Sequence, residues 1–367
     1  MRVAFLYNEA TEDPALAAEE EQPSLSPVVA GLRRLGHDVS CMACTLDLAA
    51  LRRRLLQTRP DVVFNRVESL GGSDAMMAAI PLLLETMQIP YTGCSSEALA
   101  ATASKLAVKE RLIRAGLPTP RWVTSDGRVH PTDQKSDRRS GTARGETFIL
   151  KSVFEHSSFQ LGDESIIEAP NVAAVERAIR RCETKTGRPF FAEQFVGERE
   201  FNLSIVGAQP EVLPPAEIDF SALPPGKPHI VGRDAKCDAS TFEFHHTPRR
   251  FDFSPADEPL INRLKELAVE CSRLFDLRGY ARIDFRCDAH GQPWILEVNS
   301  NPCVSPNAGF MAAMKRASYA FDDALARLLD DALSRGISSA LSMGKSRTQR
   351  VKPRRAQNAA VKHWTVS

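Results

Sequence analysis

The chain has 367 residues, 43% hydrophobic and 25% charged, which excludes a disordered chain and requires more than one core. The formal net charge of +1 hides an asymmetry: residues 343–367 hold seven basic residues and no acid, leaving 40 basic against 46 acidic residues and a body charge of −6. That basic tail lacks periodicity and is read as a solvated, disordered end rather than a nucleic-acid or lipid contact.

The longest apolar stretch, Ala75 to Leu84, contains Pro81 and falls far short of a membrane span. Met1 to Asn8 is too short for a signal peptide, so the cytoplasm is the expected location. The close pair Cys41 and Cys44 has no second ligand pair and reads as incidental reduced thiols.

The first hundred residues alternate strands with helices: strand Arg2 to Tyr7, helix Pro27 to Leu35, strand Asp38 to Ala43, helix Leu46 to Gln57 and strand Asp61 to Asn65. An apolar helix from Ala75 to Met87 and the segment Ile89 to Gly93 close a Rossmann-like α/β unit, assigned to residues 1–95. No G-x-G-x-x-G follows its first strand and no P-loop occurs anywhere, so a nucleotide would be held another way.

Ser104 caps a helix that carries Lys105 and Lys109 and ends before Gly116 and Pro118. Residues 124–146 lack hydrophobic period and read as a flexible insertion. The strand Thr147 to Lys151, a loop through Ser157 and Ser158, a helix from Val172 to Thr184 and the strand Phe190 to Val196 follow. Strand Glu200 to Val206, helix Pro259 to Phe275 and a final hairpin complete the order.

Lys151 ends an apolar strand ahead of the Ser157 hydroxyl, an arrangement suited to phosphate oxygens, although a strand-end lysine is more often merely solvated. Glu193, Phe195, Val196 and the following Glu200 combine backbone groups, an aromatic wall and a carboxylate that could hold an adenine edge and a ribose hydroxyl. In the hairpin, a turn centred between His290 and Gly291 places Asp284 opposite Glu297 and Arg282 opposite Asn299, all on one face, with Leu296 and Val298 on the other. Opposed Cβ atoms lie about 4.5–5.5 Å apart, so the two carboxylates repel unless a cation lies between them. Hard oxygen donors suit Mg²⁺ or Mn²⁺. The alternative is an exposed sheet face with solvated charges, and a one-residue bulge would change the pairing.

Taken in order, the lysine helix, the strand-end lysine, Glu-x-Phe-Val with its following Glu, Arg-x-Asp and Glu-x-Asn resemble the ATP-grasp superfamily. Ile89 to Gly93, Lys105 to Lys109, Ala115 to Pro120, Glu198 to Phe201, Gly279 to Phe285 and Leu296 to Pro302 are most similar to the D-alanine-D-alanine ligase family.

The resemblance implies a two-lobed ATP-grasp domain behind the Rossmann-like one, with a small lobe over 96–200, a large lobe over 201–335 and the tail from 336. It implies an ATP-dependent carboxylate-amine ligase working through an acyl phosphate. Lys105 and Lys151 would meet the ATP phosphates, Glu193, Phe195 and Val196 the adenine, and Glu200 the ribose. Asp284, Glu297 and Asn299 would hold two Mg²⁺ (or Mn²⁺) ions.

Arg282 would steady the intermediates, and Lys236 resembles the family's loop lysine, with a plain surface lysine as the alternative. The expected partners are small-molecule carboxylate and amine substrates, with a homodimer as the usual assembly. The substrate motifs depart from the family: the stretch Glu68 to Asp74 lacks the histidine and the acidic residue before Asp74 of the family's His-Gly-x-x-Gly-Gly-Glu-Asp, Glu19, Glu20 and Glu21 match its N-terminal motif only loosely, and Cys303-Val304-Ser305 replaces a Gly-Met-Thr-type segment. A true D-alanine-D-alanine ligase and an ATP-binding regulatory protein without turnover are the alternative functions.

Overall fold

A computed structural model describes residues 1–8, 26–130, 146–154, 162–197, 199–232 and 241–346. Three sheets organise it. In the first, β1 (Arg2–Asn8) lies between β2 (Asp38–Cys44) and β3 (Val62–Arg66), all parallel, with α1 (Pro27–Arg34) and α2 (Leu48–Thr58) as crossovers. Strand alternation sends Val3 and Phe5 to one core and Ala4 and Leu6 to the other, so both faces are covered, as a parallel sheet requires.

The expected helix from Ala75 to Met87 is instead a 3₁₀ turn, Asp74–Met76, followed by α3 (Ala79–Thr86). Pro81 explains the break: it lacks an N–H and its ring crowds the carbonyl four residues back, so it is accommodated only in a first turn. Two short helices follow, α4 (Ser96–Thr102) and α5 (Lys105–Arg114); the Ser104 hydroxyl accepts the Ala107 N–H at 3.3 Å, the predicted cap.

The second sheet is antiparallel, in the order β5 (Val129–His130), β4 (Trp122–Thr124), β8 (Phe190–Gln194), β6 (Glu146–Ser152), β7 (Ile166–Ala169). Against one face packs α6 (Val172–Thr186), which buries Val175 and Ile179 on Phe148, Leu150 and Phe190. Part of the stretch read as an insertion is therefore ordered, since β4 and β5 pair across Gly127; residues 131–145 lie outside the described residues.

The third sheet joins β9 (Arg199–Val206), β10 (Glu211–Val212), β11 (Ala216–Ile218), β12 (Arg249–Arg250), β13 (Tyr280–Cys287) and β14 (Pro293–Asn299). A short helix, α7 (Phe242–His246), precedes β12, and α8 (Glu258–Leu274) covers one face. Phe201, Leu203 and Ile205 of β9 and Ala281, Ile283 and Phe285 of β13 pack there against Leu264, Leu267 and Cys271. Full burial of such large side chains stabilises by roughly 1.5–3 kcal/mol each. By the same alternation Glu200, Asn202, Arg282, Asp284 and Arg286 share the opposite face.

The last helices, α9 (Gly309–Arg316) and α10 (Phe321–Ser346), turn back to the first sheet, where Phe310, Leu325 and Leu328 share a core with Phe5, Val28 and Phe64. Residues 1–95 thus have no independent core on that face. α10 also runs past residue 336, into the stretch read as a tail. No helix among the described residues is long and apolar enough to cross a membrane.

Candidate active site

The β13–β14 hairpin pairs Arg282 with Asn299 and Asp284 with Glu297, the expected register. The turn is offset from the expected centre, and a bulge immediately beyond Asp284 absorbs the difference, pairing Phe285 with Ile295. Leu296 is the extra residue. The inward positions are consequently Ile295 and Val298, and the expected inward pairing of Leu296 with Val298 is corrected. Asp288 shapes the turn by accepting N–H bonds from His290, Gln292 and the Trp294 indole.

Each carboxylate of the hairpin has a cationic partner. Arg282 grips both oxygens of Asp284 through Nε and Nη2, each at 2.7 Å, and Asn202 of the neighbouring strand donates to Oδ1 at 2.9 Å. Burial works against the Arg282 charge, but Asp284 outweighs it and the guanidinium pKa lies above its ordinary value. Lys105 Nζ lies 3.3 Å from Glu297 Oε1, and Asn299 Oδ1 accepts the Asn301 N–H at 2.9 Å.

Among the described residues no three His, Cys, Asp or Glu side chains form a group that could hold a metal ion by themselves. Two carboxylates and one amide on adjacent strands remain as the oxygen donors for a hard divalent ion, which tolerates water and phosphate as its other ligands. Their chemistry and their placement on one face fit Mg²⁺.

The lysines converge on the same region. Lys105 starts α5, its N–H bonded to Val153 O beside the end of β6. Lys151 of β6 bonds Glu193 Oε1, and Lys109, one turn beyond Lys105, donates to Glu193 Oε2 and Thr119 Oγ1, each at 2.7 Å. Lys109 is 0% exposed. Burial pushes its pKa down to about 8 against the pull of Glu193; burial alone would raise Glu193, but Lys109 and Lys151 hold that carboxyl below its usual range. The Glu193 side chain therefore lies between two ammonium groups inside the protein.

β8 ends at Gln194, earlier than expected, because Gly197 turns the chain at φ 59°. A Cβ there would fall 1.7 Å from Cys287 O. Arg286 organises this turn: it lies over Phe195 at 4.6 Å, donates to Gly197 O at 2.8 Å and His229 O at 2.6 Å, and stands 3.5 Å from Glu200. Val196 follows Phe195 in the same turn.

Beyond β14, Asn301 Nδ2 bonds Val67 O at 2.9 Å and Arg66 Nη2 bonds Ser305 Oγ at 3.2 Å, joining the loop after the hairpin to the end of β3. Cys303 is a free thiol 3.3 Å from Ser305 Oγ. Cys41 and Cys44 are free thiols, and burial raises the pKa of both, Cys44 to about 12.

Of the residues expected at the site, Lys105 of α5, Lys151 of β6, Glu193 of β8, Arg282 and Asp284 of β13, and Glu297 and Asn299 of β14 come together, and Phe195, Val196 and Glu200 line the turn beside them. Ser157, Lys236 and Glu19 to Glu21 lie outside the described residues. Sequence reasoning gave no role to Lys109, Asn202, Arg286 or Arg66. Two had a signal: Lys109 follows Lys105 at helical spacing, and Asn202 alternates with Glu200 along a strand.

The sequence profile described as D-ala D-ala ligase C-terminus matches residues 112–330. The D-alanine-D-alanine ligase of Methylococcus capsulatus is 30% identical over 318 residues, 85% of this chain and 92% of that one. The corresponding ligase of Moorella thermoacetica is 28% identical over 337 residues, 90% and 98% of the two chains. A crystal structure of D-alanine-D-alanine ligase from Bacillus anthracis complexed with ATP superposes with a TM-score of 0.65 at 17% identity, covering 92% and 99% of the two chains. The chain belongs to the D-alanine-D-alanine ligase family, a family of ATP-grasp carbon-nitrogen ligases.

Proposed function

We propose that this enzyme uses ATP to join a small carboxylate, an amino acid or similar metabolite, to an amine. The carrying observation is the pair of opposed carboxylates, Asp284 and Glu297, each held by a cation, Arg282 and Lys105. A carboxylate is a poor electrophile, so its oxygen first attacks the γ-phosphorus and releases ADP. The amine then attacks the acyl carbon, loses a proton and displaces phosphate.

Lys105 and Lys151 supply positive charge for the phosphates, and Arg282 steadies charge on the acyl phosphate and the tetrahedral intermediate. Phe195, Val196 and the backbone at Glu193 flank the adenine, and Glu200 takes the ribose. Ser157 and Lys236 belong to the same reading as further phosphate contacts. Asp284, Glu297 and Asn299 would hold Mg²⁺, two ions in this reading, which when bound neutralises charge on the transferring phosphoryl group. Residues 1–95 and the two lobes over 96–200 and 201–335 form its domains; a homodimeric assembly and a cytoplasmic location complete it.

The substrates need not be two D-alanines. The Glu68 to Asp74 stretch lacks the family's histidine, and Cys303 and Ser305, the latter bonded by Arg66 at the end of β3, replace its Gly-Met-Thr-type segment. The test is phosphate release with Mg²⁺ over a panel of D- and L-amino acids and related acids, with mass spectrometry of the products. Amine-dependent phosphate release with a new amide supports the reading, D-alanyl-D-alanine as the preferred product assigns the family's named reaction, and ATP binding without amine-dependent release from any pair overturns it.

A further inference from the structure

We propose that Lys109 is a positioning residue that couples the phosphate lysine Lys151 to the bulge presenting Glu297. Removing a whole ammonium from water costs several kcal/mol after relaxation, so its partners must be specific. Lys109 Nζ meets Glu193 Oε2, Thr119 Oγ1 and the face of Trp122, 5.1 Å from the ring centroid.

Each contact has a directional consequence. An ammonium only donates, so Thr119 must accept from Lys109 and turn its own O–H outward. That O–H donates to Ile295 O at 2.9 Å. Ile295 immediately precedes Leu296, the extra residue that turns Glu297 out of the core. Lys109 therefore orients the hydroxyl that holds the bulge.

On its other side Lys109 occupies Glu193 Oε2 and leaves Oε1 to Lys151. Without Lys109 the buried carboxylate has Lys151 as its remaining ammonium, which draws Lys151 inward and away from phosphate. One buried charge thus sets both the phosphate lysine of the second sheet and a metal-side carboxylate of the third.

The inference rests on the proposed nucleotide site, and the experiment separates the two. ATP affinity is measured by calorimetry on the full chain in EDTA, and the Mg²⁺ half-saturation from phosphate release, for wild type, Lys151→Ala, Lys109→Met and Thr119→Val, with thermal unfolding of each. Lys151→Ala weakens ATP if the site is right; no change there overturns the site itself. Lys109→Met is expected to weaken ATP about tenfold in EDTA, the scale of one charge-assisted contact, and to raise the Mg²⁺ half-saturation.

Thr119→Val, which cuts only the branch to Ile295, raises the Mg²⁺ half-saturation and leaves metal-free ATP affinity within about twofold of wild type. A weakened Lys151→Ala beside a wild-type-like Lys109→Met overturns the coupling. Should Lys109→Met fail to fold, Thr119→Val decides alone: an unchanged Mg²⁺ half-saturation overturns it.

Discussion

Asp284 holds Arg282 and also stands in the proposed metal set, and comparing Asp284→Asn with Glu297→Gln separates the two roles. Side chains of the Arg282–Asp284 pair are 13% and 10% exposed, so the pair is largely withdrawn from water. Neutralising one member of a buried pair costs roughly 3–5 kcal/mol because the other charge is stranded. Asparagine keeps one acceptor oxygen, which places the expected loss near the lower end, about 3 kcal/mol. In a cooperative unit of about 150–250 residues that lowers the midpoint of thermal unfolding by roughly 6–12 °C.

Glu297 differs. Its carboxylate lies 3.3 Å from Lys105, and its charge faces Asp284 directly across the ladder. The Lys105 and Glu297 side chains are 11% and 14% exposed, so glutamine strands a largely buried ammonium, but it also removes the repulsion and keeps an acceptor oxygen, so the loss should be smaller than for Asp284→Asn, about 1–2 kcal/mol. Both variants should lose Mg²⁺-dependent phosphate release by about a hundredfold or more. The assays are thermal unfolding by circular dichroism and phosphate release titrated with Mg²⁺. Wild-type unfolding of Asp284→Asn would refute the pair energetics, and near-normal turnover of Glu297→Gln would refute the metal assignment.

Other outcomes follow from the same geometry. Gly197→Ala forces a Cβ to within 1.7 Å of Cys287 O at positive φ; the backbone cost alone is about 1–2 kcal/mol, and both unfolding midpoint and ATP affinity should fall. Arg286→Lys keeps the charge but loses the fork that spans Gly197 O and His229 O, so KM for ATP should rise about tenfold with a smaller change in kcat, measured by steady-state kinetics. Glu193 titrates below its ordinary 4.5 in the folded chain, so its stabilisation is complete above that pH and is lost as pH falls through the lowered folded-state value. In denaturant unfolding from about pH 4.5 down to about pH 3, the stability gap between wild type and Glu193→Gln should shrink as pH falls; a gap that widens over that range contradicts the burial and pairing of Glu193.

Local period and turn chemistry alone determined much of this protein. The strand and helix order of the first hundred residues, the Ser104 cap and the pairing of Asp284 with Glu297 and Arg282 with Asn299 each depend on residues close in the chain, where spacing dictates which side chains share a face. The bulge beyond Asp284 was decided elsewhere. Ile295 is drawn into a core with helix α8, while Thr119, 176 residues earlier, holds its carbonyl. Burial of Lys109 against Glu193, 84 residues on, and the bond from Arg66 to Ser305, 239 residues on, have no local signature. Nor does the return of α10 onto the first sheet, because a helix's apolar stripe states that it must be covered and not by what. Spacing along the chain named the charged groups of the site; packing between distant segments selected which of them are buried, paired and aimed at one another.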